Sequence, residues 1–280
     1  MSTLTLGVIG AGVIGSSVAH AAAASGCAVT LVDTDPTALE AARAAVRRHE
    51  RLAALTGGRG PRSLDIRFSS ELTDVAGAGF VVENTTESEA GKRELYPLLE
   101  KVLAPDVTIA ANTSAIPITR LAERLTDPGR VVGVHFMNPV DRIAMVEVVR
   151  APSTSDGALA DVEDLLARMG KESVVVNDAP GFVINRVLMP VVNLAAAVVA
   201  DGVATPNQVD ELFKGCLGHT SGPLRTADLI GLDTVVRTLE VLHEHYGTDE
   251  FATHPHLRRM VTEGRTGIKS GRGFYSYDGN

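Results

Sequence analysis

With 280 residues, 45% of them hydrophobic and 21% charged, the chain has the composition of a folded globular protein with room for two domains. A formal net charge of −8 excludes general nucleic-acid binding, which requires a basic face. Cys27 and Cys216, far apart in sequence, offer neither a disulfide framework nor metal-ligand spacing, so no metal is expected and a reducing cytoplasm suits them.

The elements alternate from the start. "LTLGVI" (4–9) predicts a strand that runs into "GAGVIG" and an Ala-rich helix through Ala24, and "CAVTLVD" predicts a second strand ending in Asp33. A helix over 36–54 is broken by "TGGRGPR". Arg43, Arg47, Arg48, Arg51, Arg59, Arg62 and Arg67 crowd this segment, as a solvated helix face or as a site for phosphate or an acidic partner. Next come "FVVEN", a helix near 89–103, "VTIAAN" leading to "NTS", a helix near 117–125, "RVVGVHF", "AMVEVV", a helix near 156–169 and "ESVVVND". Such alternation predicts an α/β domain with a Rossmann-type, doubly wound and mostly parallel sheet over residues 1–178.

After "DAPG" the pattern becomes helical, at 182–201, 206–214, 223–244 and 255–263, with a strand-like run only in "GRGFYSY". Residues 179–280 are therefore expected to form an all-helical domain. "VLMPVVNLAAAVVA", interrupted by Pro190 and Asn193, is too short to span a membrane. No basic leader segment precedes the first strand, so the expected location is cytoplasmic.

Two constellations carry chemistry. Gly10, Gly12 and Gly15, with Val13 and Ile14 between the last two, follow a strand and open a helix, and Asp33 ends the next strand. This context predicts a dinucleotide site, with the pyrophosphate at the helix N-terminus and Asp33 on the adenosine ribose, which favours NAD over NADP. The alternative is a plain glycine turn with Asp33 as a helix cap. The second constellation is His135 and Glu147, one in each of two apolar runs. Burying a lone carboxylate costs several kcal/mol unless it is paired. The residues alone leave two options equally open: a catalytic pair, or two structural groups satisfied separately.

"VIGAGVIGSSVA", "ANTSAIPIT", "HFMNP", "VEVV", "PGFVINRVLMP", "GPLRTADLIGLDT" and "KSGRGFYSY" occur in an order and spacing that resembles the 3-hydroxyacyl-CoA dehydrogenase family over nearly the whole chain. The resemblance implies a Rossmann domain that binds NAD, a helical C-terminal domain that usually dimerises, and oxidation of a 3-hydroxyacyl thioester. His135 matches the family's catalytic His, and Glu147 the Glu that orients it. Ser114 and Asn185 match residues that hold the substrate oxygen, Ser114 having a helix cap and Asn185 an interdomain contact as the structural alternative. Glu87 and Lys92 match positions beside the nicotinamide ribose, or are solvated charges at a helix start. Asn112 joins the cofactor set, and Asn138 and Arg142 the substrate set, Asn138 shaping its loop.

Two stretches depart from the family pattern. "HFMNPVDRIAMVEV" carries Asp141 and Arg142 where close bacterial members read like "HFFNPAPVMKLVEV", and "TGGRGPRS" replaces a longer helical hairpin that contributes to CoA binding. The expected function is NAD-dependent oxidation of a short 3-hydroxyacyl-CoA by a homodimer. The alternative carrier is an acyl carrier protein bearing a glyceryl or other hydroxyacyl group, as in polyketide extender-unit formation. A non-catalytic NAD-binding protein is the alternative of another class.

Overall fold

The computed structural model describes residues 3–55 and 64–277. Eight strands form one sheet in the order β3-β2-β1-β4-β5-β6-β7-β8. They are β1 (Thr5–Ile9), β2 (Ala28–Val32), β3 (Ile66–Ser69), β4 (Phe80–Glu83), β5 (Thr108–Asn112), β6 (Val131–His135), β7 (Met145–Arg150) and β8 (Glu172–Asn177). All neighbours are parallel except β6 and β7, which a short connection turns back on each other. Strands β4 and β6 are buried at every position, and β1 and β5 at all but one. This follows from helices on both faces of a parallel sheet, and each fully buried aliphatic side chain contributes about 1.5–3 kcal/mol.

Helix α1 (Val13–Ala24) presses Gly15, Ser16, Ala19, Ala22 and Ala23 toward the sheet, small residues that permit close approach. Helices α2 (Pro36–Leu55), α3 (Glu89–Val102), α4 (Ile118–Ala122) and α5 (Asp156–Arg168) complete the layers. Side chains fix their starts: Ser88 accepts from Gly91 N ahead of α3, and Ser155 from Ala158 N ahead of α5. The segment "TGGRGPR", with Arg59 and Arg62, lies outside the described residues.

Contacts divide the chain into two compact units, Met1–Ala179 and Pro180–Asn280. The second unit consists of α6 (Ile184–Ala200), α7 (Pro206–Leu217), α8 (Pro223–Ile230), α9 (Leu232–Tyr246) and α10 (Pro255–Thr262). Met189, Val192, Ala196, Leu232, Val235, Leu239, Leu242, Leu257 and Met260 form its core. No helix among the described residues is long and apolar enough to cross a membrane.

Three expectations need correction. Strand β3 was not expected, the helix expected over 223–244 is two helices, and "GRGFYSY" is not a strand. Gly231, at φ 100, breaks the helical pattern. Around "GRGFYSY" there are only isolated bridges, Gly267 to Arg272 and Arg272 to Ser276. The carboxylate of Asp228 replaces a strand partner, accepting from Phe274 N and Tyr275 N at 3.0 Å each and from the Tyr277 hydroxyl at 3.0 Å. Burial raises the Asp228 pKa against these donors.

Candidate functional site

In an open α/β sheet the crevice lies beyond the carboxyl ends of the strands, where the strand order reverses. Here the reversal falls between β1 and β4. The chain leaves β1 through Gly10, whose φ is 97 and whose N–H donates to Val32 O at 2.7 Å. A Cβ on Gly10 would sit 2.6 Å from Asn84 O, and one on Gly15 only 1.9 Å from Gly10 O. A Cβ on Gly12 would meet nothing within 4 Å, so the backbone there faces open space at the N-terminus of α1. Val13 is exposed beside it, whereas Ile14 is half-buried and packs on the sheet core.

A cleft of about 730 Å³ opens from this turn, lined by Gly10, Gly12, Asp33, Thr34, Asp35 and Asn84 among others. Asp33 accepts from Ala11 N at 2.7 Å through Oδ2 and from Asp35 N at 2.9 Å through Oδ1, which ties the end of β2 to the glycine turn. These features fit a dinucleotide: bare backbone where a pyrophosphate would lie, and a fixed carboxylate in the adjoining cleft. A second cleft, of about 1120 Å³, shares Gly12 and Ala38 with the first and extends between α1, α2 and the β6–β7 connection. Its wall includes Ser16, Arg48, Asn138, Asp141 and Arg142.

Antiparallel pairing of β6 and β7 sets His135 directly opposite Glu147. His135 Nδ1 lies 2.9 Å from Glu147 Oε2, and both side chains are buried. The contact has the geometry of a hydrogen bond from Nδ1–H to the Glu147 carboxylate. On the neighbouring strand end, Asn112 Oδ1 accepts from Phe136 N at 3.2 Å, and Asn112 Nδ2 donates to Asn84 Oδ1 at 2.9 Å. Asn112 thus links the ends of β4, β5 and β6.

Ser114 follows β5 and does not cap α4. That task belongs to Asp178, which accepts from Ile118 N and Thr119 N at 2.9 and 2.8 Å. Glu87 holds the Ser114 segment instead, its Oε1 accepting from Thr113 Oγ1, Ser114 N and Ala115 N at 2.6, 2.9 and 3.1 Å. Lys92 is neither solvated nor at a cleft wall: its ammonium is fully buried, donating to Glu83 Oε1 and Oε2 at 2.7 and 2.8 Å and to Asn112 O at 3.0 Å. Tyr96 also donates to Glu83, and burial with that carboxylate raises its pKa well above the ordinary value. Asn185 lies in the first turn of α6 in the second unit and is buried there.

Sequence reasoning missed Glu83 and Asn84. A signal existed for Glu83, since "FVVE" is an apolar strand with an acidic end, the same pattern that singled out Asp33.

The strand order and the turn at its head place the first unit among dinucleotide-binding domains. Family models describe its residues and those that follow: residues 5–179 match the 3-hydroxyacyl-CoA dehydrogenase NAD binding domain, and residues 181–277 match the C-terminal domain of the same family. The chain belongs to the 3-hydroxyacyl-CoA dehydrogenase family, and its cofactor is NAD. It is 42% identical to a probable 3-hydroxybutyryl-CoA dehydrogenase of Bacillus subtilis (strain 168), over 97% of this chain and 96% of that one. Among solved structures it is similar to FadB2 of Mycobacterium tuberculosis, with a TM-score of 0.94 at 36% identity, covering 99% of this chain and 100% of that chain. The (S)-3-hydroxybutyryl-CoA dehydrogenase PaaH1 of Ralstonia eutropha gives a TM-score of 0.90 at 35% identity, with the same coverage.

Proposed function

We propose that this protein oxidises the hydroxyl of short 3-hydroxyacyl-CoA thioesters, 3-hydroxybutyryl-CoA among them, with His135 as general base. The observation that carries this reading is the buried His135–Glu147 hydrogen bond at the head of the sheet. When bound, NAD would supply the hydride acceptor that oxidation of the carbinol carbon requires. His135 Nε2 takes the hydroxyl proton as the ketone forms, and Glu147 stabilises the imidazolium across the 2.9 Å contact. Ser114 in the first unit holds the substrate oxygen, and Glu87 sets the backbone on which Ser114 stands. Purified protein is expected to form NADH from NAD and 3-hydroxybutyryl-CoA; no NADH from any 3-hydroxyacyl thioester would overturn the proposal.

A second carrier is favoured by one observation: Arg47, Arg48 and Arg51 are exposed on α2, and Arg48 reaches the larger cleft wall. An acyl carrier protein, acidic and bearing a glyceryl or other hydroxyacyl group, complements such a face. Initial rates with one hydroxyacyl group on CoA and on an acyl carrier protein decide between the carriers.

Cofactor choice rests on Asp33. A carboxylate there repels a 2'-phosphate, so Asp33→Ser is expected to shift the ratio of kcat/KM for NADP over NAD upward by at least about tenfold, equivalent to about 1.4 kcal/mol. An unchanged ratio would remove Asp33 from the ribose site.

We infer a homodimer formed through the second unit. Val187, Leu194 and Val198 lie at helical spacing on α6 with exposures of 61%, 67% and 37%, a stripe that solvent does not favour. Sedimentation at micromolar concentration is expected to give a dimer, and Leu194→Glu a monomer.

A further inference from the structure

The connection between β6 and β7 carries the residues that set this chain apart in sequence, and its shape is held from outside. Arg142 N and Ile143 N both donate to Pro139 O, at 3.2 and 3.1 Å, which closes a tight turn. Two carbonyls of that turn, on Val140 and Ile143, converge on one cation. Lys171 Nζ donates to Ile143 O at 2.8 Å and also to Val140 O. Lys171 stands between α5 and β8, where Gly170 takes φ 67 and Lys171 N donates to Leu166 O at 2.8 Å, so its own backbone is fixed.

Between the two tethered carbonyls stand Asp141 and Arg142, both exposed and both in the wall of the larger cleft. They do not neutralise each other: Arg142 makes no ion pair among the described residues. Burial lowers the Lys171 pKa, against which the negative charge of Asp141 acts to raise it. Arg142 and Arg48 give the cleft wall two guanidinium groups against the single carboxylate of Asp141, in a chain of net charge −8.

We propose that Lys171 is a positioning residue for the substrate side of the cleft: its ammonium clamps the Val140–Ile143 turn, so that the Arg142 guanidinium is presented to the phosphate-bearing arm of the thioester. This rests on the thioester reading of the cleft given above. A charge-assisted pair of hydrogen bonds to backbone carbonyls is strong enough to hold the turn of this nine-residue connection in one shape, and a thioether in place of the ammonium removes both.

The test uses the full chain and two readouts, one of which needs no turnover. In Lys171→Met, trypsin under native conditions is expected to cleave after Arg142, releasing a fragment that begins at Ile143, about tenfold faster than in the parent protein. The KM for 3-hydroxybutyryl-CoA is expected to rise about tenfold, with kcat within about threefold and the Kd for NAD unchanged. Lys171→Arg, which keeps a cationic donor, should restore most of both. Should Lys171→Met not be recovered folded, Lys171→Gln, which keeps N–H donors without the charge, is expected to raise KM and loosen the turn to a smaller degree. Cleavage and KM at parent values in Lys171→Met, or in Lys171→Gln where that is the variant recovered, overturn the proposal. So does a parallel loss of kcat, NAD affinity and Tm without rescue by Lys171→Arg, which would mark a purely structural residue. If the parent protein oxidises no thioester while cleavage still depends on Lys171, the reading of function fails and the clamp stands.

Discussion

Replacing His135 with alanine is expected to lower turnover by about 10²–10⁴-fold, the range that a positioned general base contributes, while the Kd for NAD stays near its parent value. The separation of the two effects follows from where the groups sit. The glycine turn, Asp33 and the cleft beside them are built from the ends of β1, β2 and β4 together with residues of α2 and α3, whereas His135 ends β6 and is braced by β7. Glu147→Gln is the companion variant. It keeps the side-chain volume beside a buried ring but removes the charge that stabilises the imidazolium, so kcat is expected to fall at least about tenfold with the fold intact. NADH formation under saturating thioester reports the first quantity, and calorimetric titration with NAD the second. Full activity in His135→Ala would refute the role given to His135. Loss of NAD binding together with turnover would show instead that the pair supports the domain as a whole.

The parts of this fold that the sequence makes legible are those whose cause is local. Gly10 is required by its own φ of 97 and Gly15 by the Gly10 carbonyl five residues before it, and the buried strands announce themselves as apolar runs. Strand β3 escaped because it is only half-buried: "IRFS" sets Arg67 among the apolar positions and follows a connection with no pattern of its own. The division between α8 and α9 had a local sign in Gly231, which a continuous hydrophobic periodicity concealed.

The candidate site divides the same way. His135 and Glu147 were visible as polar residues in apolar strands, and their pairing is a consequence of antiparallel register, which one sequence does not specify. Lys171 and Val140 are 31 residues apart, Lys92 and Asn112 are 20 apart, and no spacing rule connects either pair. A lysine in sequence looks like surface charge; only the fold shows which carbonyls and carboxylates surround it.

Lys92 is where that difference has the largest expected effect on stability. Its ammonium and the Glu83 carboxylate are both fully buried, and the carboxylate also accepts from Thr85 N, Thr85 Oγ1 and Tyr96 Oη. Removing one partner of a buried pair strands the other charge in a low-dielectric core, so Lys92→Met is expected to destabilise the protein by roughly 3–5 kcal/mol. Glu83→Gln added to Lys92→Met neutralises the stranded charge and is expected to recover a large part of that loss, a coupling that separate, independent contributions would not produce. Urea unfolding midpoints at constant slope measure both. The same two proteins test the alternative, that Lys92 serves the cofactor directly. If its ammonium acts on NAD, affinity falls in the single variant and stays low in the double variant, because the missing contact is not restored. If Lys92 acts by balancing Glu83, NAD affinity measured on the folded fraction follows stability and returns with it.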